Sequence, residues 1–189
     1  MKTDWSSFVS ELIAVILGIV ITFTVQGRID KAHDRREVRS ALELVRVELA
    51  SNLDDISELT EYLKQEQISA RYLEDHRDSL DACPVETVKY HQGIVNADVS
   101  VSFSHDALEL LKLSSLLQKV GNNPLSMKII SAYNCCELME TNINRHISGR
   151  DAQEGDPSSW LIAHNPMYYT DANEIKVAIE AIDTFLRKR

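Results

Sequence analysis

From Arg28 to Cys83 the chain contains neither glycine nor proline, and within that stretch Val38, Leu42, Val45, Leu49, Leu53, Ile56, Leu59 and Leu63 recur at steps of three or four residues. Apolar residues at that spacing fall on one side of an α-helix, with the charged residues between them on the other. So long a stripe has to be covered, so the pattern predicts an amphipathic helix that serves as a packing surface for the rest of the molecule. Unbroken, its ~55 residues would reach about 80 Å, longer than one compact domain spans. The reading therefore places a break or turn between Lys64 and Arg71, and lets Pro84 close the helical pattern. Charge reverses along this helix. Its start carries Arg28, Lys31, Arg35, Arg36 and Arg39, whereas Ser40 to Ala82 holds eleven acidic residues against Arg46, Lys64, Arg71 and Arg77.

Ahead of the basic cluster lie fourteen uncharged residues, Leu12 to Val25, ten of them Leu, Ile, Val or Phe. Extended back to Phe8, the run makes roughly 18 residues and about 27 Å of helix, close to the roughly 30 Å of a hydrocarbon core. Trp5 stands where an interfacial aromatic belongs. Glu11 is the one penalty, placed at the edge, and ten strongly apolar side chains offset it. No small-x-small cleavage pattern follows the run, which separates it from a removed secretory signal. The expectation is a single-pass transmembrane helix with the lipid bilayer as partner. Arg28, Lys31, Arg35, Arg36 and Arg39 are then the juxtamembrane lipid contacts, and their excess over Lys2 puts the large domain on the cytoplasmic side. An odd count of cysteines, Cys83, Cys135 and Cys136, agrees with a reducing compartment. Ser10, Ala14, Gly18 and Thr22 recur every fourth residue, a row of small side chains through which two helices can pack closely.

The remainder has the length of one domain with its own core, and six glycines and four prolines in 189 residues favour helix over sheet. The expected fold is all-α: residues 1–27 a tail and transmembrane helix, 28–83 the long amphipathic region, and 84–189 a small helical bundle with one extended segment. That segment is Val95 to Phe103, where Val95, Ala97, Val99, Val101 and Phe103 alternate strictly with polar residues. Period two signals extended chain. With no second strand in the sequence to pair with, the segment either lies along the helices or pairs with another chain. Further helices are expected from a Ser104 cap to Val120, ended by Gly121, from Asn123–Pro124 to about Ile147, and after Asp171 with Glu174 as a capping box. A net charge of −9 argues against nucleic acid as a partner.

The positions Glu11, Gly18 and Thr22, then Arg36, Glu37, Leu42, Val45, Glu48, Leu49 and Asn52, and later Phe103, Ala107, Leu108, Leu111, Lys112, Val120, Asn122, Leu125, Lys128, Ile129 and Tyr133 resemble a family of uncharacterised bacterial membrane proteins with one N-terminal span and a helical domain. The resemblance implies architecture and a bacterial inner-membrane location. It implies no activity.

No glycine-rich phosphate loop, Gly-x-Ser-x-Gly elbow, His-Glu-x-x-His or Cys-x-x-Cys occurs. Glu74, Asp75, His76, Asp78 and Asp81 form an acidic knot that reads as a solvated helix face, because neighbours on a helix diverge and no glycine turn shapes a cation loop. Cys135 and Cys136 diverge in the same way, and Cys136 falls in an apolar stripe where a thiol packs as a small hydrophobe. No catalytic residue, cofactor or metal site is assigned. The functional expectation is a non-enzymatic, self-associating interaction or scaffold protein, with a homo-oligomer or another membrane protein as partner. The alternative is a ligand sensor or enzyme with a site assembled around His91, His105 and Tyr133.

Overall fold

A computed structural model describes the backbone of residues 5–188; residues 1–4 and 189, and the side chains of residues 5–16, 18–25, 27–31, 168 and 169, lie outside the described residues. The protein is all-α. Helix α1 runs from Trp5 to Asp75, 71 residues without interruption, or about 107 Å at the helical rise. After a 3₁₀ turn at Arg77–Ala82 come α2 (Val85–Val95), α3 (Asp106–Leu113), α4 (Leu116–Lys119), α5 (Asn123–Asp151), α6 (Ser158–Ala163), a second 3₁₀ turn at Met167–Thr170, and α7 (Asn173–Arg187). No strand occurs among the described residues.

The second half of α1 is the spine of the body. Its buried seam is Val38, Leu42, Val45, Leu49, Asn52, Ile56, Leu59, Leu63, Glu66, Ala70 and Leu73, with Ala41, Gln67 and Ser69 buried beside it. The steps alternate four and three throughout, a seven-residue repeat that keeps one seam facing a single direction. The expected stripe is present, with one substitution. Leu53 only flanks the core, and Asn52 occupies the seam position instead. The helices α2, α3, α4, α6 and α7 pack directly against α1, and α5 packs mainly on α7. The break expected between Lys64 and Arg71 is absent. Glu66, Gln67, Ser69, Ala70 and Leu73 all remain buried, so the seam continues under α2 and α6 and the helix has no reason to turn before Asp75.

The alternating segment is expected from Val95, but Val95 ends α2 and Asn96 turns; residues 97–103 lie along the helices and, among the described residues, join no sheet. Val95 and Phe103 are buried and Ala97, Val99 and Val101 half-buried, while Asn96, Asp98, Ser100 and Ser102 face water. Several of its backbone groups are satisfied by side chains. Asn144 of α5 donates to the Val101 carbonyl (2.9 Å) and accepts from the Val101 N–H (3.2 Å). Asn52 of α1 does the same for Ser104, at 2.9 and 3.0 Å. The Phe103 N–H donates to Glu140 at 3.1 Å. Two carboxamides thus mimic the ladder of a neighbouring strand.

The region expected as one helix from Ser104 to Val120 is two. Ser115 adopts φ 55°, a left-handed conformation costly for a residue with a β-carbon, and it separates α3 from α4. Gly121, at φ 62°, terminates α4 as expected. Asn122 caps α5 by accepting from the Leu125 N–H at 3.3 Å, with Pro124 in the first turn. Glu174 takes no part in a capping box; it accepts from Ser131 of α5. A smaller second core of Ala70, Leu73, Val95 and Leu161 closes the far end of α1. There the Trp160 ring lies over Gly149 so closely that a β-carbon would sit 2.5 Å from it, which explains a glycine inside α5.

The single-pass inner-membrane location is corrected. Among the described residues no helix is long and apolar enough to cross a membrane. A span needs about 20 consecutive apolar residues, whereas α1 from Asp34 onward carries charged groups at almost every turn and confines its apolar residues to one seam. The side chains of Leu12–Val25 other than Leu17 lie outside the described residues, as do those of Ser10, Ala14, Gly18, Thr22, Arg28 and Lys31.

Candidate functional site

Glu48 is the centre of a polar hub between α1, α3 and α5. Its carboxylate accepts from the Ala107 N–H (3.0 and 3.1 Å), from the Ser104 hydroxyl (2.6 Å) and from the Tyr133 hydroxyl (2.6 Å). A carboxylate from α1 therefore caps α3, the role the sequence assigns to Ser104. Burial raises the Glu48 pKa, but the donors outweigh it: Ser104, Tyr133 and the backbone N–H groups of Ala107 and Asp106 hold the carboxyl below its ordinary range. The same contact, together with burial, pushes the Tyr133 phenol far up.

Beside the hub is an open cleft of about 410 Å³ between α3 and α5, lined among others by His105, Tyr133, Glu137, Glu140 and Lys112. His105 Nδ1 lies 2.8 Å from the Phe103 carbonyl, and its buried Nε2 has no hydrogen-bond partner among the described residues. The His105 and Tyr133 rings are 5.7 Å apart. Two of the three residues of the expected composite site are therefore neighbours. His91 is elsewhere, stacked on Tyr72 at 4.1 Å and 3.0 Å from the Ser69 hydroxyl, where burial and His76 lower its pKa.

A second network fills the lower seam. Glu66, fully buried, meets His146 Nε2 (3.2 Å) and Arg150 Nη1 (3.1 Å) and accepts from the Tyr62 hydroxyl at 3.3 Å. Arg150 also donates to the Ala97 carbonyl at 2.8 Å and pairs with Asp151. Burial works against the charge on Arg150, but Asp151, Tyr62 and Glu66 keep its pKa above the ordinary value. Burial and Glu66 push the Tyr62 phenol up to about 12, against the pull of Arg150. Every charged member is engaged inside the protein, which is the signature of a structural network.

A cavity of about 760 Å³ lies between α1, the end of α4 and the end of α7. It brings Arg35, Arg36 and Arg39 together with Lys119 over apolar walls formed by Val38, Val120, Phe185 and Leu186. Lys119 bonds Asp34 at 2.8 Å, which holds its ammonium above the ordinary lysine range. Nothing in the sequence pairs residue 36 with residue 186; only the antiparallel return of α4 and α7 along α1 does.

His33, Asp34 and Glu37 place one ligand atom each within 4.8 Å of one another, but all are at the surface and Lys119 already neutralises Asp34. The acidic knot does not gather: Glu74 is engaged by Arg77 and Ser159, and His76 turns to the Tyr72 carbonyl and stacks on the Tyr72 ring. Cys136 is buried in the core as expected, with its thiol pKa pushed up to about 11 by burial, and Cys135 is half-buried 3.6 Å from the Asp171 carbonyl. Both are free thiols. No protein-family model, curated protein or solved structure matches the chain.

Proposed function

We propose that this chain is a non-enzymatic interaction protein that self-associates through the N-terminal part of α1. The observation that carries the proposal is the unbroken length of α1. The described buried seam of α1 begins at Val38, while the helix itself is continuous from Trp5 to Asp75, 71 residues, about 107 Å. A helix of that length holds together in water through the packing of an apolar face, not through propensity alone. The sequence of its N-terminal part is apolar from Leu12 to Val25, and Leu17 is 54% exposed. A second copy offers the matching surface, and the row Ser10, Ala14, Gly18 and Thr22 admits close approach of two backbones. A ligand-sensing or catalytic reading draws on the unpartnered His105 Nε2, but the separation of His91 from it leaves that site without its third member.

Chemical crosslinking of the full chain, with and without Gly18→Ile, tests the proposal. The wild type should give discrete oligomers and the variant mostly monomer, with unchanged helix content by circular dichroism. A monomeric pattern in both removes self-association.

A further inference from the structure

We propose that the cavity at the base of α1 is a binding site for a single-chain amphipathic anion, an acyl chain ending in a phosphate or carboxylate. The inference is independent of how the N-terminal part of α1 associates. The first argument is charge. Among the described residues, four cationic side chains, Arg35, Arg36, Arg39 and Lys119, line the cavity against one carboxylate, Asp34. Lys119 is occupied by Asp34 and by Glu37 at 3.9 Å, and Arg39 by Glu43 at 3.1 Å. Arg35 and Arg36 are exposed and make no ion pair or hydrogen bond among the described residues. Lysine or arginine near the end of α4 or α7 complements the negative pole of that helix, which accounts for Lys119. Arg35 and Arg36 lie far inside α1 and have no such task. Two guanidinium groups on adjacent residues, each with a planar fork of donors, suit a phosphate or carboxylate better than any neutral group.

The second argument is the wall. A site for a free inorganic ion would be polar throughout. Here Val38 and Val120 are buried, and Phe185 and Leu186 half-buried, beneath the arginines. The volume falls within the roughly 300–1,000 Å³ of sites that enclose small ligands, which are typically apolar with a few polar groups fixing orientation. A charged head at Arg35 and Arg36 with a hydrocarbon tail along Phe185 and Leu186 satisfies both halves.

Titration calorimetry of the full chain with dodecyl phosphate, below its micellar concentration, tests the proposal. Saturable binding is expected, with inorganic phosphate and neutral dodecyl maltoside each at least tenfold weaker. Arg35→Glu/Arg36→Glu should weaken dodecyl phosphate at least tenfold, while Lys89→Glu/Lys176→Glu, the same charge change elsewhere, should retain wild-type affinity; circular dichroism melting verifies that both variants fold. Dodecanoate and lysophosphatidylglycerol, run side by side, tell a free fatty acid from a lipid headgroup by which binds tighter. Equal affinity for dodecyl maltoside, equal affinity for inorganic phosphate, or equal weakening in both charge variants would overturn the proposal.

Discussion

The seam of α1 is interrupted twice by polar residues, Asn52 and Glu66, two heptads apart, and the molecule treats the two interruptions differently. Around Asn52 the polar groups are neutral amides and one half-buried carboxylate, Glu48, and their partners are mostly backbone groups: both amide groups of Ser104 and the N–H of Ala107. Around Glu66 the carboxylate is fully buried and is answered by the charge of Arg150, with the His146 ring beside it, both from α5. The upper interruption fixes a chain path; it holds the extended segment and starts α3. The lower one fixes a helix pair, locking α5 against α1 at one register. A polar residue in an apolar seam specifies alignment in both cases, but the energetic stakes differ with burial.

The contrast is sharpest for Arg150→Met. It leaves Glu66 buried without its countercharge, and such a change costs about 3–5 kcal/mol, read as a large downward shift of the denaturant midpoint. Glu66→Met/Arg150→Met should recover most of that loss. A double variant as unstable as the single one would show that the network contributes more than mutual neutralisation.

At the upper site Glu48→Gln keeps an acceptor and should cost only about 1 kcal/mol, the size of a helix cap. Its clearer signature is in pH. The Glu48 pKa is lowered in the folded protein, so the carboxylate contributes stability that is complete above its unfolded pKa and disappears as pH falls through the lower folded value. Acid titration of stability should therefore be shallower in Glu48→Gln than in wild type, across and below the ordinary carboxylate range. Parallel curves would mean that Glu48 is not held ionised by Ser104, Tyr133 and Ala107.

Much of the fold is legible in the sequence because period carries it. Steps of three and four give α1, strict alternation gives the extended segment, and Gly121 and Pro124 mark helix ends where they stand. The failures have one cause, a partner distant in the chain. Leu53 looks like the seam residue because it is apolar; Asn52 wins because Ser104 and Cys136 meet it there. Ser104 looks like a cap; Glu48, 56 residues earlier, reaches the helix first. The turn expected after Lys64 rests on the length of a compact domain, whereas the seam of α1 stays buried through Leu73 and keeps the helix straight. The candidate sites were less legible still. Arg35, Arg36 and Arg39 stand out by charge alone, while their apolar partners Phe185 and Leu186 come from the other end of the chain. The sequence carries no signal that His105 and Tyr133 meet, and His91 does not join them.

If α1 self-associates as proposed, its second half is held by the body and its N-terminal part by a second copy of the chain. Hydrogen exchange along α1, followed as a function of protein concentration, tests it most directly. Amides of residues 38–73 should be protected at every concentration, and those of residues 8–30 only where the chain self-associates, with protection lost on dilution and in Gly18→Ile. Strong, concentration-independent protection of residues 8–30 in a monomer would contradict the account.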